Sequence, residues 1–162
     1  MTEDTCTGRL SLTGRPQELV ESPVFLLGYL GSGVKAAACE AFERAGSNLY
    51  DVGILALLEE GARSTQAAIA DALGIDRGQL VGVLDDLEER GLIERHRDPA
   101  DRRRHMVSLT ADGRRRLTRL RAILQQVEDD VLAPLGVADR STLRRILLEI
   151  GRQGQPAYDK PA

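Results

Sequence analysis

The stretch Asp98-Pro99-Ala100-Asp101-Arg102-Arg103-Arg104 lies between two extended runs, Leu92-Ile93-Glu94-Arg95-His96-Arg97 and His105-Met106-Val107-Ser108-Leu109. Asp and Pro between such runs mark a turn, so the segment reads as a β-hairpin. Side chains alternate along a strand, which puts Val107 and Leu109 on one face. The tip carries three consecutive arginines, with Arg97 just ahead of it. Cations held away from the body on a hairpin suit contact with phosphate or a minor groove. Phosphate would repel Asp101. Its place is to hold Arg103, two residues on, by a charge-assisted hydrogen bond. Arg103 is then the arginine for the minor groove. Arg102 and Arg104 alternate to the other side, toward phosphate. A charged run alone is more often a solvated turn, so what precedes the hairpin decides between the two.

What precedes it is a pair of short helices. Ser64 caps a helix over Thr65 to Leu73, ended by Gly74. Asp76 caps the next, Arg77 to Arg90, ended by Gly91, with Leu80, Val83, Leu84 and Leu87 as its inner stripe. Small Ala68 before Ile69 and Ala70, a glycine in the turn and apolar Ile75 after it give a helix-turn-helix. Followed by a basic hairpin, it is a winged helix-turn-helix, and the hairpin is the wing.

Helices of this kind read base edges with residues near their start. Arg77 can pair with guanine or reach phosphate, and Gln79 can pair with adenine. Asp76-x-x-Gln79 also has capping-box spacing, which leaves Gln79 divided between the two tasks. Gly78 and Gly82 remove side chains from that surface, so shape readout by the wing gains weight. Ser64, Thr65 and Gln66 open the first helix of the pair, where hydroxyls and backbone N–H groups offer a phosphate site. Simple capping explains the same residues, and Ser64 can do both.

Between a polar N-terminal arm, whose end can order against the body, and a short tail, the remaining chain is helical. A helix runs from about Val24 to Ala45, stopped by Gly46. Its glycines Gly28, Gly31 and Gly33 point to close helix packing or a kink. Ser47 or Asn48 caps a buried helix, Leu49 to Glu60, ended by Gly61. Thr110 caps a long helix with Asp112 in its first turn. Its residues Leu117, Leu120, Leu124, Val127 and Val131 make a heptad-like seam, long enough to pack against the first helix or a partner subunit. Asp139 caps a last helix, Arg140 to Gly151.

The chain has 162 residues and 42% apolar content, enough for one core built mostly of Leu, Val, Ile and Ala. Its net charge is −3, yet the segment from Arg90 to Arg121 holds 11 arginines against four acids and carries +7, leaving −10 elsewhere. Screening confines fields to about 10 Å, so the local field decides what is attracted. No apolar run approaches the roughly 20 residues that span a bilayer. The polar N-terminus lacks a secretory signal's basic start and apolar middle. The expected compartment is the cytoplasm, with no membrane partner. Two cysteines, Cys6 and Cys39, make no disulfide framework.

Catalysis has little support. His96 and His105 fall in the wing strands with no Cys or Asp at metal spacing, and there is no phosphate-binding Gly loop or Ser-His-Asp arrangement. Neither catalytic residues, nor a cofactor, nor a metal site is expected. Cys39, on an Ala-rich helix, reads first as a small core residue and second as a redox-sensing thiol. A rival of another class is a winged helix whose hairpin docks an acidic protein.

The run from Asn48 to Gly113 resembles the MarR family of bacterial transcriptional regulators. The residues carrying the likeness are Leu73-Gly74-Ile75-Asp76-Arg77, Leu84-Asp85-Asp86-Leu87-Glu88-Glu89-Arg90-Gly91-Leu92-Ile93, the Asp98-Pro99-Ala100-Asp101-Arg102-Arg103 wing and Leu109-Thr110-Ala111-Asp112-Gly113. The resemblance implies a mainly α fold: a winged helix-turn-helix with a small β-hairpin wing and an α-helical dimerisation arm. It implies a homodimer on double-stranded DNA at a pseudo-palindromic operator, usually a repressor, released by a small phenolic or anionic effector or by oxidation. The chain then divides into a flexible arm (1–22), a dimerisation helix (23–46), a DNA-binding lobe (47–110), C-terminal dimerisation helices (111–152) and a tail (153–162). Effector pockets in the family lie between dimer helices and lobe, which makes Tyr29 and Tyr50 candidate neighbours. The family's recognition helix usually carries Ser, Thr or Arg where this chain has Gly78, Val81 and Gly82. Its peroxide sensors place their cysteine near the start of the first helix, whereas Cys39 is near the end.

Overall fold

Most helices of this chain start at a residue that lends a side-chain oxygen to the first turn, where backbone N–H groups have no helical partner. Ser22 accepts from Phe25, Asn48 from Asp51, Thr65 from Ala68, Asp76 from Gly78 and Gln79, and Thr110 from Gly113. The structure, a computed structural model, describes residues 10–61, 65–97 and 105–152. These form α1 (Gln17–Val20), α2 (Pro23–Arg44), α3 (Leu49–Glu60), α4 (Gln66–Leu73), α5 (Arg77–Glu89), β1 (Ile93–Arg97), β2 (His105–Leu109), α6 (Ala111–Val131) and α7 (Val137–Arg152).

Several boundaries differ from expectation, Ala45 for one being the cap that ends α2 rather than its last helical residue. Thr65, not Ser64, caps α4: its hydroxyl takes the Ala68 N–H at 3.2 Å, and the helix begins at Gln66. Ser64 lies outside the described residues. Arg90 is the cap that ends α5 rather than its last helical residue. The last helix starts at Val137, so Asp139 sits within its first turn rather than ahead of it. Asn48 takes the α3 cap in a full capping box with Asp51. Residues 10–21, expected to be a flexible arm that orders at its end, fold back on α2. Tyr29 donates to the Ser11 carbonyl (3.0 Å), accepts from Arg15 (3.1 Å) and stacks on Phe25.

The core joins the helix-turn-helix to one end of the arm. Ile54, Leu55, Ile69, Leu80, Leu84 and Leu87 are fully buried together with Leu117 and Leu120 of α6. Helix α2 gives only Ala37, Ala38 and Phe42. Its N-terminal half has no buried residue and alternates exposed residues, Val24 at 80%, with half-buried ones such as Phe25 and Leu30. Among the described residues no neighbour closes on Gly28 or Gly31, so packing within them does not explain these glycines. Helix α3 is less enclosed than its composition suggests: Leu49 and Tyr50 are exposed, while Asp51 is fully buried. The seam on α6 divides likewise, with Leu117, Leu120 and Val127 buried and Leu124 exposed. Helix α7 has no buried residue, and Ile146, Leu147, Leu148 and Ile150 face outward.

The strands β1 and β2 pair antiparallel from Ile93↔Leu109 to Arg97↔His105. The alternation holds: Val107 and Leu109 are both buried. A bridge between Thr65 and Met106 ties the start of α4 to this hairpin. The hairpin in turn is locked to α6. Thr110 caps α6 while donating to the Gly91 and Leu92 carbonyls at 2.8 and 3.0 Å. Gly113 packs against the Leu92 carbonyl so closely that a Cβ there would overlap it. The Leu109-Thr110-x-x-Gly113 motif is thus the joint between wing and arm.

Candidate nucleic-acid interface

Helix α5 shows Arg77, Gly78, Gln79, Val81 and Gly82 to solvent and buries Leu80, Leu84 and Leu87. Asp76 Oδ1 accepts from Gly78 N at 2.8 Å and from Gln79 N at 3.3 Å. A Cβ on Gly78 would stand 3.1 Å from that carboxylate oxygen, so glycine suits the cap as well as the bare surface. Nothing lies within 4 Å of a Cβ at Gly82. The capping box that the spacing of Asp76 and Gln79 allowed is only half made. Asp76 takes the Gln79 N–H, but the Gln79 amide returns no hydrogen bond among the described residues. That leaves its side chain available for a ligand or base.

Gln79 faces sideways as well as outward. With Gly82, Val83, Asp86 and Arg90 it lines an open cleft of about 530 Å³, closed on the other side by Glu43, Gly46, Ser47 and Asn48. Neither Tyr29 nor Tyr50 lines it. Thr65 and Gln66 are half-buried at the head of α4, next to the hairpin. Arg97 is exposed at the far end of β1. The wing tip itself, with Asp101, Arg102, Arg103 and Arg104, lies outside the described residues. Cys39 is a free, half-buried thiol on α2.

The arginines of the basic segment do not act alike. Arg95 on β1 grips α5: its Nε and Nη2 reach Glu88 at 2.8 and 2.5 Å, its N–H reaches Glu88 at 3.1 Å, and Nη2 meets Asp85 at 2.6 Å. Arg95, hydrogen-bonded to both oxygens, holds the Glu88 carboxyl below the usual carboxylate range. A carboxylate with a lowered pKa stabilises the fold above its ordinary pKa and loses that contribution as pH falls through the lowered one. The clamp therefore holds at neutral pH and fixes the angle of wing to recognition helix.

Arg90 pairs with Asp51 at 3.0 Å and Asp86 at 2.6 Å. Arg115 pairs with Asp112, and Arg121 with Glu59. Arg116 donates to carbonyls and to Ser47. Arg97, Arg114 and Arg119 are exposed and make no ion pair with another described residue. Arg90, Arg95 and Arg121 of the segment are therefore engaged by acids outside it, while Arg97, Arg114 and Arg119 remain open to a polyanion.

Sequence reasoning missed Asp51. A signal was present: Asp51 stands three, four and seven residues ahead of Ile54, Leu55 and Leu58, on their inner stripe. A carboxylate on such a stripe needs a partner, since a lone buried charge is very costly. The partner is Arg90, 39 residues on.

A helix pair with a tight turn, an exposed N-terminal face on the second helix and a clamped basic hairpin define a winged helix-turn-helix nucleic-acid-binding protein. A MarR family model matches residues 49–104. A Thauera aromatica protein assigned as transcriptional regulatory protein for the hcr operon is 36% identical over 101 residues, 62% of this chain and 61% of that protein. The match thus spans about six tenths of that relative's length. The repressor CouR bound to a 23-mer DNA duplex is 32% identical, with a TM-score of 0.74 over 83% of this chain and 96% of that one. CouR from Rhodococcus jostii RHA1 bound to p-coumaroyl-CoA is 29% identical, with a TM-score of 0.68 over 91% and 99%. The chain belongs to the MarR family of transcriptional regulators.

Proposed function

We propose that this chain is a sequence-specific repressor that binds a pseudo-palindromic operator as a homodimer and is released by a small effector. The observation that carries this reading is the exposed first turn of α5, Arg77 to Gln79, set beside a hairpin clamped to it by Arg95. In this arrangement Arg77 and Gln79 meet base edges, with Gly78 allowing close approach. Ser64, Thr65, Gln66, Arg97, Arg102 and Arg104 hold phosphates. Arg103, positioned by Asp101, enters the minor groove.

The dimer is supported by what each protomer leaves uncovered. Helix α2 runs 22 residues, and its most apolar window has a mean hydropathy of 1.2 with 17% burial. By length and composition alone it could cross a membrane, contrary to the expectation that no run comes close. Lys35, Glu40, Glu43 and Arg44 on it, and the exposed Ile146, Leu147 and Ile150 of α7, suit a second copy better. A two-fold axis would then present the two α5 helices roughly 34 Å apart, one helical turn of DNA.

The effector reading rests on the family and on CouR, whose bound ligand p-coumaroyl-CoA is phenolic and anionic. The cleft beside Gln79 does not suit such a ligand. Asp51 and Asp86 already match the charge of Arg90, and Glu43 adds another carboxylate. The effector is therefore assigned to the space between lobe and arm that the second copy would complete.

One titration series tests the DNA reading. Duplexes selected by the wild-type protein from a random library should share an inverted repeat. Gln79→Ala should relax discrimination at a single base step by roughly 1–3 kcal/mol. Gln79→Ala with unchanged selectivity would show that Gln79 serves only the cleft.

A further inference from the structure

The chain bends from α2 into α3 at Gly46 and Ser47, the elbow between arm and lobe. Two guanidinium groups converge there from different parts of the molecule. Arg90, the cap ending the recognition helix α5, donates to Ser47 Oγ at 3.3 Å and to the Gly46 carbonyl at 3.2 Å. Arg116, on arm helix α6, donates to the same Ser47 Oγ at 3.1 and 2.7 Å and to the same Gly46 carbonyl at 3.0 Å. It also donates to the Ala45 carbonyl at the end of α2. Ser47 is 93% removed from solvent, its exposure being 7%. The recognition helix and the arm are thus held through the same two oxygen atoms. Neither can turn against the other without losing charge-assisted hydrogen bonds, those to Ser47 at a buried residue.

We propose that Ser47 and Arg116 are positioning residues for DNA binding, fixing the angle of α5 to the arm and thereby the half-site spacing that the dimer accepts. This rests on the dimeric operator-binding reading. The spacing is exacting because one base pair moves a half-site by roughly 3.4 Å and turns it by roughly 35°. A lobe held rigidly on the arm cannot follow that change. A lobe freed at the elbow can.

The test uses the full chain as wild type, Ser47→Ala, Ser47→Thr and Arg116→Lys. The probe is the duplex that wild type selects from a random library, with versions carrying one base pair more or fewer between the half-sites. Sedimentation and circular dichroism establish assembly and folding. Wild type should bind the altered spacings far more weakly than the selected one. In Ser47→Ala and Arg116→Lys that penalty should shrink about tenfold, the weight of one charge-assisted hydrogen bond. Ser47→Thr, which keeps the hydroxyl, should restore it. Folded, dimeric variants with the wild-type spacing profile would overturn the proposal. So would a loss of affinity equal at every spacing, or failure of both Ser47→Ala and Arg116→Lys to fold, since the elbow would then serve the fold alone. A monomeric wild type, or selected duplexes with a single half-site, would instead overturn the dimer reading beneath it.

Discussion

Arg90→Ala is expected to lower the free energy of unfolding by about 3 kcal/mol, the lower end for removing one partner of a buried ion pair. Asp51 is fully buried, and its Oδ1 has no hydrogen-bond partner among the described residues. Its Oδ2 accepts from Arg90 Nη1 at 3.0 Å and from the Asn48 N–H at 3.4 Å. Without Arg90 the carboxylate stays inside with one long hydrogen bond, and the Gly46 carbonyl and Ser47 lose a donor. The Arg90 side chain is 28% exposed, so solvent screens part of the interaction, which sets the estimate at the low end. A loss of that size corresponds to a fall in melting temperature of about 6–12 °C. Urea unfolding measures it. The double variant Arg90→Ala/Asp51→Asn should recover part of the loss, because the stranded charge is gone. A single variant within about 0.5 kcal/mol of wild type, the range of ordinary surface changes, would show that Asp51 finds another partner.

Gly113→Ala should cost about 2–3 kcal/mol, against the usual preference of helices for alanine. The added Cβ would overlap the Leu92 carbonyl oxygen and stand 2.7 Å from Leu109 Cδ1. The carbonyl is backbone and cannot swing aside. It also accepts from the Thr110 N–H at 3.2 Å and the Thr110 hydroxyl at 3.0 Å, so moving it strips the cap of α6. Gly82→Ala is the control with the opposite sign. It too lies in a helix but has open space around it, and should stabilise by up to about 1 kcal/mol. Equal effects of the two substitutions in urea unfolding would mean that the joint between wing and arm yields easily.

These two sites show where sequence reasoning reached and where it stopped. Capping by Ser47 or Asn48, by Asp76 and by Thr110, the stripe of α5 and the in-out alternation of β2 are local: each depends on residues within a turn or a pleat of one another. They are readable, and the structure has them, with Asn48 as the α3 cap. Ser64 and Thr65 are both competent caps by sequence, and the bridge of Thr65 to Met106 favours the second. Asp139 suits a first turn as well as a cap, so the sequence leaves the start of α7 two or three residues uncertain, and the helix takes the earlier one, at Val137. The pairing of Asp51 with Arg90 and the meeting of Arg90 and Arg116 at Ser47 join residues 39 to 69 apart. Periodicity exposes the need for a partner there but not its identity. The charge of the segment from Arg90 to Arg121 was countable, but its division between internal pairs and free cations depends on the fold. Arg95 illustrates this: part of a basic patch by sequence, it is a clamp on Glu88 and Asp85 in the molecule.

In the proposed reading, Arg103 of the wing enters the minor groove. The direct measurement is a fluorescence titration of a library-selected duplex, and of unrelated duplexes, with wild type and with Arg103→Ala over a range of salt concentrations. The variant should bind every duplex several-fold more weakly, with a salt slope reduced by about one. An Arg103→Ala protein that binds like wild type, with an unchanged slope, would contradict the wing's role.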